Sequence, residues 1–381
     1  MAATRRFLFN VGWLTLFAPA GLTLVLVALH LSGAINAWIF PFIPVAVFCL
    51  FGGSSCLIVA QLVERPAVQG ISVRRAVYRR RLCWALATLI VCLNSPAYLL
   101  AYHMTHVRDP GQVGLGVPRP SHTQKPSDRG LSYATRTIPI SQSKWLEAWE
   151  INVQASNPRG TVILFHGNLG TKSSQLIPPA QSFIDQGFNT LLIDFQGGGG
   201  SSGDTVTLGI NEAKDVVAAF NYQKEQNIAN GQVESPIILY GVSMGTAAIL
   251  RAISTHIITP DAIILELPFV RLVDAIKSRL SHHKIPTDPT ALLMIFWASI
   301  QHGVNGFGHN PIGYAKAVDC PTLVIHGAQD KWTSVSDIEA LVQTIPDSKQ
   351  LVVSLDAGHH QLIGMDRQLW DLSISNFLNA F

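Results

Sequence analysis

Charge is what this sequence has least of. Only 13% of its 381 residues are Asp, Glu, Lys or Arg, about half the roughly 25% of an ordinary soluble domain. The shortage is local. Residues 7–63 contain no charged side chain, and residues 82–107 contain none again. Runs of that length exclude a wholly soluble chain, because core helices seldom extend so far without a charge. From about Ser132 onward the composition is that of a soluble domain. The formal charge of +3 comes largely from arginines flanking the apolar runs. It therefore bears on membrane orientation and gives no reason to expect a nucleic-acid partner. Cysteine is scarce as well. Cys49, Cys56, Cys83 and Cys92 fall in the apolar runs and only Cys320 in the soluble part, which excludes an internal disulfide there.

About 20 apolar residues cross a bilayer core as one helix. The first uncharged run, 57 residues long, has room for two spans, at about 10–31 and 38–62, with the turn at Ser32-Gly33-Ala34-Ile35-Asn36. A third span is expected over about 82–103, where Asn94 and Pro96 are tolerable against neighbouring helices. Residues 1–104 thus read as a transmembrane region. Arg65, Arg74, Arg75, Arg79, Arg80 and Arg81 stand between the second and third spans against one acid, Glu64. Positively charged loops stay in the cytoplasm. The expectation is a multi-pass protein of the cytoplasmic (inner or plasma) membrane, with residues 64–81 inside and the rest of the chain delivered to the outer side. Ser32-Gly33-Ala34 also passes as a small-residue cleavage site; cleavage there removes one span and keeps that topology.

Residues 105–131, with Pro110, Pro118, Pro120 and Pro126, read as a linker. Beyond it, strand-like runs at Trp145–Val153, Thr161–Phe165, Thr190–Phe195, Ile237–Tyr240, Ala262–Leu265, Thr322–Ile325 and Gln350–Leu355 alternate with helical patterns. The helices are expected near Ser173–Gln186, Asn211–Gln226, Met244–Thr255, Val335–Thr344 and Asp366–Leu378. Such alternation predicts an α/β domain over 132–381, a mostly parallel sheet covered on both faces. Reactive groups gather past the carboxyl ends of strands in sheets of this kind.

Gly241-Val242-Ser243-Met244-Gly245 follows one strand directly and opens a helix. A sharp strand-to-helix turn needs small residues around the serine, and it lifts the hydroxyl out of the sheet. A serine hydroxyl becomes nucleophilic when a base takes its proton and a third group orients that base. Asp330, in His326-Gly327-Ala328-Gln329-Asp330, and His359, in Asp356-Ala357-Gly358-His359, each follow a strand of their own, in the order acid then base. Glu266 is a rival acid at the end of Ala262–Leu265, and His360 adjoins His359. Acyl transfer also needs donors for an oxyanion. The N–H groups of Met244, after the nucleophile, and Asn168, in His166-Gly167-Asn168 after Thr161–Phe165, are the expected pair. Gly198 to Gly203 matches a dinucleotide-binding spacing, but no helix is expected at its third glycine. His282, His283, His302 and His309 lack zinc-site spacings, so no metal is expected.

Taken together, His166-Gly167-Asn168, Gly241-Val242-Ser243-Met244-Gly245, His326-Gly327-Ala328-Gln329-Asp330 and Gly358-His359 resemble the α/β-hydrolase superfamily, nearest its monoglyceride-lipase-like and serine-aminopeptidase-like branches. The resemblance covers about Ser132 to Phe381. It implies an α/β-hydrolase fold, a Ser243–Asp330–His359 triad, no cofactor, and a cap over about 267–318, where Val270–Leu280 and the apolar Ala291–Gln301 read as helices. The run Leu292–Trp297 is expected to pack on the core or to line an acyl channel. One departure stands out: Asp194-Phe195-Gln196-Gly197-Gly198 lacks the arginine and second aromatic usual after that strand. The function expected is a membrane-anchored serine hydrolase of carboxylic esters, with lipid-like esters as the favoured substrate. The alternatives are a membrane acyltransferase, thioesterase or peptidase on the same triad, or a non-catalytic receptor or scaffold.

Overall fold

Eight runs of β-branched and aliphatic residues form one sheet, and most are buried on both faces. In a computed structural model, residues 73–379 are described, apart from 156, 256, 257 and 347. The strands are β1 (Ala134–Ser141), β2 (Lys144–Ile151), β3 (Thr161–Phe165), β4 (Asn189–Ile193), β5 (Ile237–Val242), β6 (Ala262–Glu266), β7 (Thr322–Gly327) and β8 (Lys349–Ser354). Their spatial order is β8-β7-β6-β5-β3-β4-β2-β1. All neighbouring pairs are parallel except those made by β2, which runs antiparallel to β1 and β4. Strand β1 is absent from the sequence reading. It is an edge strand in which Ile138 is the one fully buried side chain, and it contains Pro139; a polar, proline-bearing run lacks the signal of a covered strand.

Because strand side chains alternate between faces, each strand supplies two layers. Ile163 and Phe165 of β3 point to one face, toward helices α3 (Glu212–Ala229), α4 (Met244–Ser254) and α7 (Val335–Thr344). Val162 and Leu164 point to the other, toward α2 (Ile177–Asp185) and α8 (Arg367–Leu378). Trp370 of α8 is fully buried among Phe183 and Tyr240. Helices on both faces leave only the strand ends accessible, and that confines chemistry to the loops there. Between β6 and β7 lie α5 (Leu272–His282) and α6 (Thr290–His302), the helices expected for the cap.

The chain divides into two units, one ending at His103 and including Gln112–Leu115, the other holding Met104–Gly111 and Gly116–Phe381. Helix α1 (Val73–Thr105) contains a segment, Arg81–Thr105, long and apolar enough to cross a membrane. At about 1.5 Å per residue, its 25 residues exceed the roughly 30 Å hydrocarbon thickness. Asn94 turns its amide onto the Ile90 carbonyl, 2.9 Å away, so the helix itself gives this polar group a partner. The spans expected at 10–31 and 38–62 lie outside the described residues.

In the second unit, both parts of the stretch expected as a linker that belong to it are tied down. Val107 N–H donates to Asp204 O (2.7 Å) and Val206 N–H to Thr105 O (2.9 Å). The Gly199 N–H donates to Pro120 O (3.0 Å), and Arg119 Nη1 to Ser201 O (3.2 Å). Ser173 Oγ accepts from the N–H groups of Thr123 and Gln124, both at 2.9 Å. The regular structure of this stretch is limited to a two-residue parallel pairing of Val107–Arg108 with Val117–Pro118 and a 3-10 turn at Pro126–Arg129, and other peptide groups find partners in the loops they cross.

Candidate active site

The serine turn is built by two close approaches. A Cβ on Gly241 would stand 2.7 Å from the Gly245 carbonyl carbon, and one on Gly245 would stand 2.7 Å from Phe165 O of β3. Neither position has room for a side chain. Between them Ser243 adopts φ 50°, ψ −106°, a region that costs a non-glycine residue on the order of 1–3 kcal/mol. The strain is held by hydrogen bonds from Ser243 N–H to Glu266 O (2.8 Å) and from Thr246 N–H to Ser243 O (3.0 Å).

Two further loops close on this turn. Strand β7 ends at Gly327, where a Cβ would meet the Ala357 carbonyl oxygen and stand 2.5 Å from that of Gly358. Only glycine lets the loop after β7 lie against the loop after β8. The result is a relay: His359 Nδ1 is 2.6 Å from Asp330 Oδ2, and His359 Nε2 is 3.1 Å from Ser243 Oγ. Asp330 Oδ1 accepts from the Trp332 N–H (2.8 Å). Burial pushes the Asp330 carboxyl upward in pKa, but the hydrogen bond and charge of His359 outweigh it and leave a net depression. A carboxylate that stays ionised holds the imidazole with its Nδ1 proton toward Asp330 and its Nε2 lone pair toward the serine. Trp332 covers one face of the His359 ring (centroids 4.3 Å apart), and the Arg279 guanidinium of α5 lies 4.4 Å over Trp332.

Glu266, the rival acid, serves elsewhere. It is fully buried, accepts from the Tyr240 hydroxyl, from Leu362 N–H (2.6 Å) and from Trp370 Nε1 (3.4 Å), and burial raises its pKa. It bridges β5, β6 and α8, with no hydrogen bond to His359.

The loop after β3 brings the expected oxyanion donors to the same turn. Phe195 N–H donates to His166 Nε2 (3.1 Å), so the His166 proton sits on Nδ1 and is donated to Gly167 O (2.7 Å). Burial lowers the His166 pKa, which keeps this ring neutral and the loop clamped. Gly167 N–H in turn donates to Gln175 Oε1 (2.7 Å). A Cβ on Gly167 would stand 3.3 Å from Ser243 Cβ, so the Asn168 backbone follows a residue already against Ser243. Met244 opens α4 and is buried; its N–H belongs to the first helical turn, where no intrahelical acceptor exists. The Asn168 side-chain oxygen is buried without a partner.

Beside the loop that lacks the expected arginine lies a buried lysine bonded to Asp194. Lys172 is 0% exposed, and its ammonium donates to Asp194, to Glu147 Oε1 (2.8 Å) and lies 3.1 Å from His122 Nε2. It also sits 4.6 Å from the centre of the Trp149 ring. His122, Glu147 and Asp194 have the arrangement of a cation site, but the Lys172 ammonium contacts all three and takes the place a metal ion would hold. Gln196, at the place of the absent arginine, donates its N–H (3.0 Å) and side-chain amide (2.8 Å) to Asp215. Burial pushes the Asp215 carboxyl up to about 7. The pairings of Lys172 with Asp194 and of Arg279 with Trp332 carry no sequence signal; partners so far apart along the chain meet only in the fold.

Comparison with known proteins agrees with this architecture. A family described as serine aminopeptidase, S33, matches residues 156–296. The uncharacterized protein YqkD of Bacillus subtilis is 24% identical over 221 residues, 58% of this chain and 71% of its own length. The lysophosphatidylserine lipase ABHD12 of Xenopus tropicalis is 24% identical over 262 residues, 66% of this chain and 63% of its own length. The ABHD12 of Danio rerio is 26% identical over 66% of this chain and 68% of its own. Among solved structures, the Pyrococcus furiosus esterase Pf2001 superposes with a TM-score of 0.56 at 22% identity, over 69% of this chain and 98% of its own. The α/β hydrolase GrgF of Penicillium gives 0.51 at 16% identity, over 66% and 99%. With sheet order, strand–serine–helix turn and relatives in agreement, this chain carries an α/β-hydrolase domain and is a serine hydrolase.

Proposed function

We propose that the protein is a membrane-anchored esterase of lipid-like substrates that works through Ser243, His359 and Asp330. The observation that carries this reading is the relay of 3.1 Å and 2.6 Å through the two ring nitrogens of His359. Ser243 Oγ attacks the ester carbonyl while His359 Nε2 takes its proton, and Asp330 balances the imidazolium. The N–H groups of Asn168 and Met244 stabilise the tetrahedral oxyanion. His359 then gives the proton to the leaving alcohol, and a water molecule, deprotonated by the same nitrogen, releases the acid from the acyl-serine.

Two observations favour a lipid ester. Relatives bear the name lysophosphatidylserine lipase, and Arg81–Thr105 has the length and composition of a membrane span. A relative from Saccharomyces cerevisiae, 23% identical over 261 residues, is named a membrane protein. In the full reading the anchor has three spans, residues 64–81 are cytoplasmic and the hydrolase domain is on the outer side. A cytoplasm-only reporter fused after Phe381 is then silent and an export-dependent one active; the reverse pattern overturns the topology.

Fluorophosphonate labelling tests the chemistry. The wild-type chain reacts and Ser243→Ala does not, with kcat lower by on the order of 10⁶ as for other triad serines. Equal labelling of both removes Ser243 from the mechanism. On p-nitrophenyl esters from acetyl to dodecanoyl, kcat/KM rises with acyl length, since each buried methylene contributes about 0.8 kcal/mol. A maximum at acetyl rejects the lipid reading.

A further inference from the structure

The cap carries an apolar surface for which the catalytic reading has no use. Residues 289–315 contain no Asp, Glu, Lys or Arg, and α6 lies inside that run. A helix hydrophobic all round is ordinarily buried all round. Here one side is covered by the domain, through Ala291, Met294 and Ile295. On the other side Leu292, Phe296 and Ile300 are 40%, 45% and 56% exposed. Their i, i+4, i+8 spacing sets them in one row. A single exposed leucine needs no explanation, but an ordered apolar row does. The run Leu292–Trp297 is therefore divided: Met294 and Ile295 pack inward, one of the two roles expected of it, while Leu292 and Phe296 are turned outward.

The C-terminal end of the same helix indicates what covers the row. His302 Nε2 is 2.7 Å from Thr105 Oγ1, and the His302 ring lies 4.9 Å from that of His106. Thr105 is also the last residue of the apolar segment Arg81–Thr105. A segment that crosses the bilayer ends at its surface, so chain continuity brings Thr105, and the helix end bonded to it, to that surface. Along α6, Ile300 is about 3 Å and Phe296 about 9 Å from His302 at 1.5 Å per residue, so a helix lying along the surface brings both to it. Burial lowers His302 and His309 to about 4, so both are neutral at pH 7 and bring no charge into lipid.

Resting on the proposed anchoring, we infer that the Leu292–Phe296–Ile300 face of α6 docks into the interfacial layer of the bilayer that holds the anchor. The occupant is a lipid surface: a straight row on one helix suits a plane, and amphipathic contacts of this kind bury an apolar face to about 5–10 Å. Docking sets the cap on the source of a lipid ester.

The test uses the full chain in nanodiscs loaded with one copy each. An environment-sensitive fluorophore is attached at Phe296→Cys and, as a control, at Val233→Cys, an exposed apolar site (64%) outside the cap. Lipids carrying a doxyl quencher near the headgroup should quench the label at 296 at least about threefold more than at 233. Equal quenching at the two sites overturns the inference. Shielding at 296 that appears only in discs holding several copies also overturns it, in favour of self-association. In parallel, the double variant Leu292→Asp/Ile300→Asp should lose about tenfold or more in turnover of a vesicle-borne ester, a change of about 1.4 kcal/mol, with hydrolysis of a water-soluble ester unchanged. Alkaline carbonate extraction separates the two readings. A chain released from membranes refutes the anchoring, whereas a retained chain with an unquenched label at 296 refutes only the docking.

Discussion

Replacing Asp330 with asparagine leaves volume and shape almost intact and alters one property, the ability to accept on both oxygens. In the folded chain Asp330 accepts from Trp332 N–H at 2.8 Å and from His359 Nδ1 at 2.6 Å. Asparagine can keep the first bond only by turning its NH₂ toward His359. The ring must then present a lone pair at Nδ1 and carry its proton on Nε2, facing Ser243 Oγ. In that tautomer it cannot take the serine proton. The comparable change in a serine protease triad lowers kcat by about 10⁴, which corresponds to about 5 kcal/mol in the barrier. The measurement is kcat/KM of wild type and Asp330→Asn on a water-soluble ester, alongside thermal melting across pH. The depressed pKa of Asp330 means that its ionised form is favoured by the fold. Its stabilisation is present above the ordinary value of 3.8 and is lost as pH falls through the lower folded value. The gap in melting temperature between wild type and variant should therefore be largest at neutral pH and shrink below pH 3.8. An Asp330→Asn protein within tenfold of wild type refutes the role given to Asp330. So does a Glu266→Gln protein that melts normally and is the slower enzyme.

Three further outcomes follow from the same contacts. Gly327→Ala forces a methyl group against the Ala357 and Gly358 carbonyls and parts Asp330 from His359; displacement of about 1 Å costs roughly 10²-fold in kcat, and an unchanged kcat would show that the loops can give. Lys172→Met leaves Asp194 and Glu147 without the ammonium they share. Breaking a buried pair in this way costs about 3–5 kcal/mol, visible as a melting temperature roughly 10 °C lower; a shift of a degree or two would mean that the neighbouring donors suffice. Asp215, held at about 7, binds its proton more tightly folded than unfolded, so its contribution falls as pH rises from 3.8 to about 7. Asp215→Asn should melt higher than wild type at pH 8 and level with it at pH 4, provided Gln196 flips its amide to meet the new donor; equal melting at pH 8 would place no cost on the buried charge.

What the sequence determined by itself is the part whose cause is local. The strand-to-helix turn at Ser243 was legible because only Gly241 and Gly245 permit it, and the loops bearing Asp330 and His359 because each follows an apolar run that ends in small residues. The apolar segment expected over about 82–103 was legible from composition, and it falls within a helical segment, Arg81–Thr105, long and apolar enough to cross a membrane. Tertiary structure decided everything that depends on residues meeting from distant positions. It paired Lys172 with Asp194, sent Glu266 to Tyr240 and Trp370, and set Trp332 between Arg279 and His359. It tied residues 105–107 and 119–124 to the loops they cross, and it turned one side of a largely apolar helix outward. Periodicity states which side chains of a strand or helix share a face. It does not state what that face will meet, because the partner is chosen by packing of the whole chain.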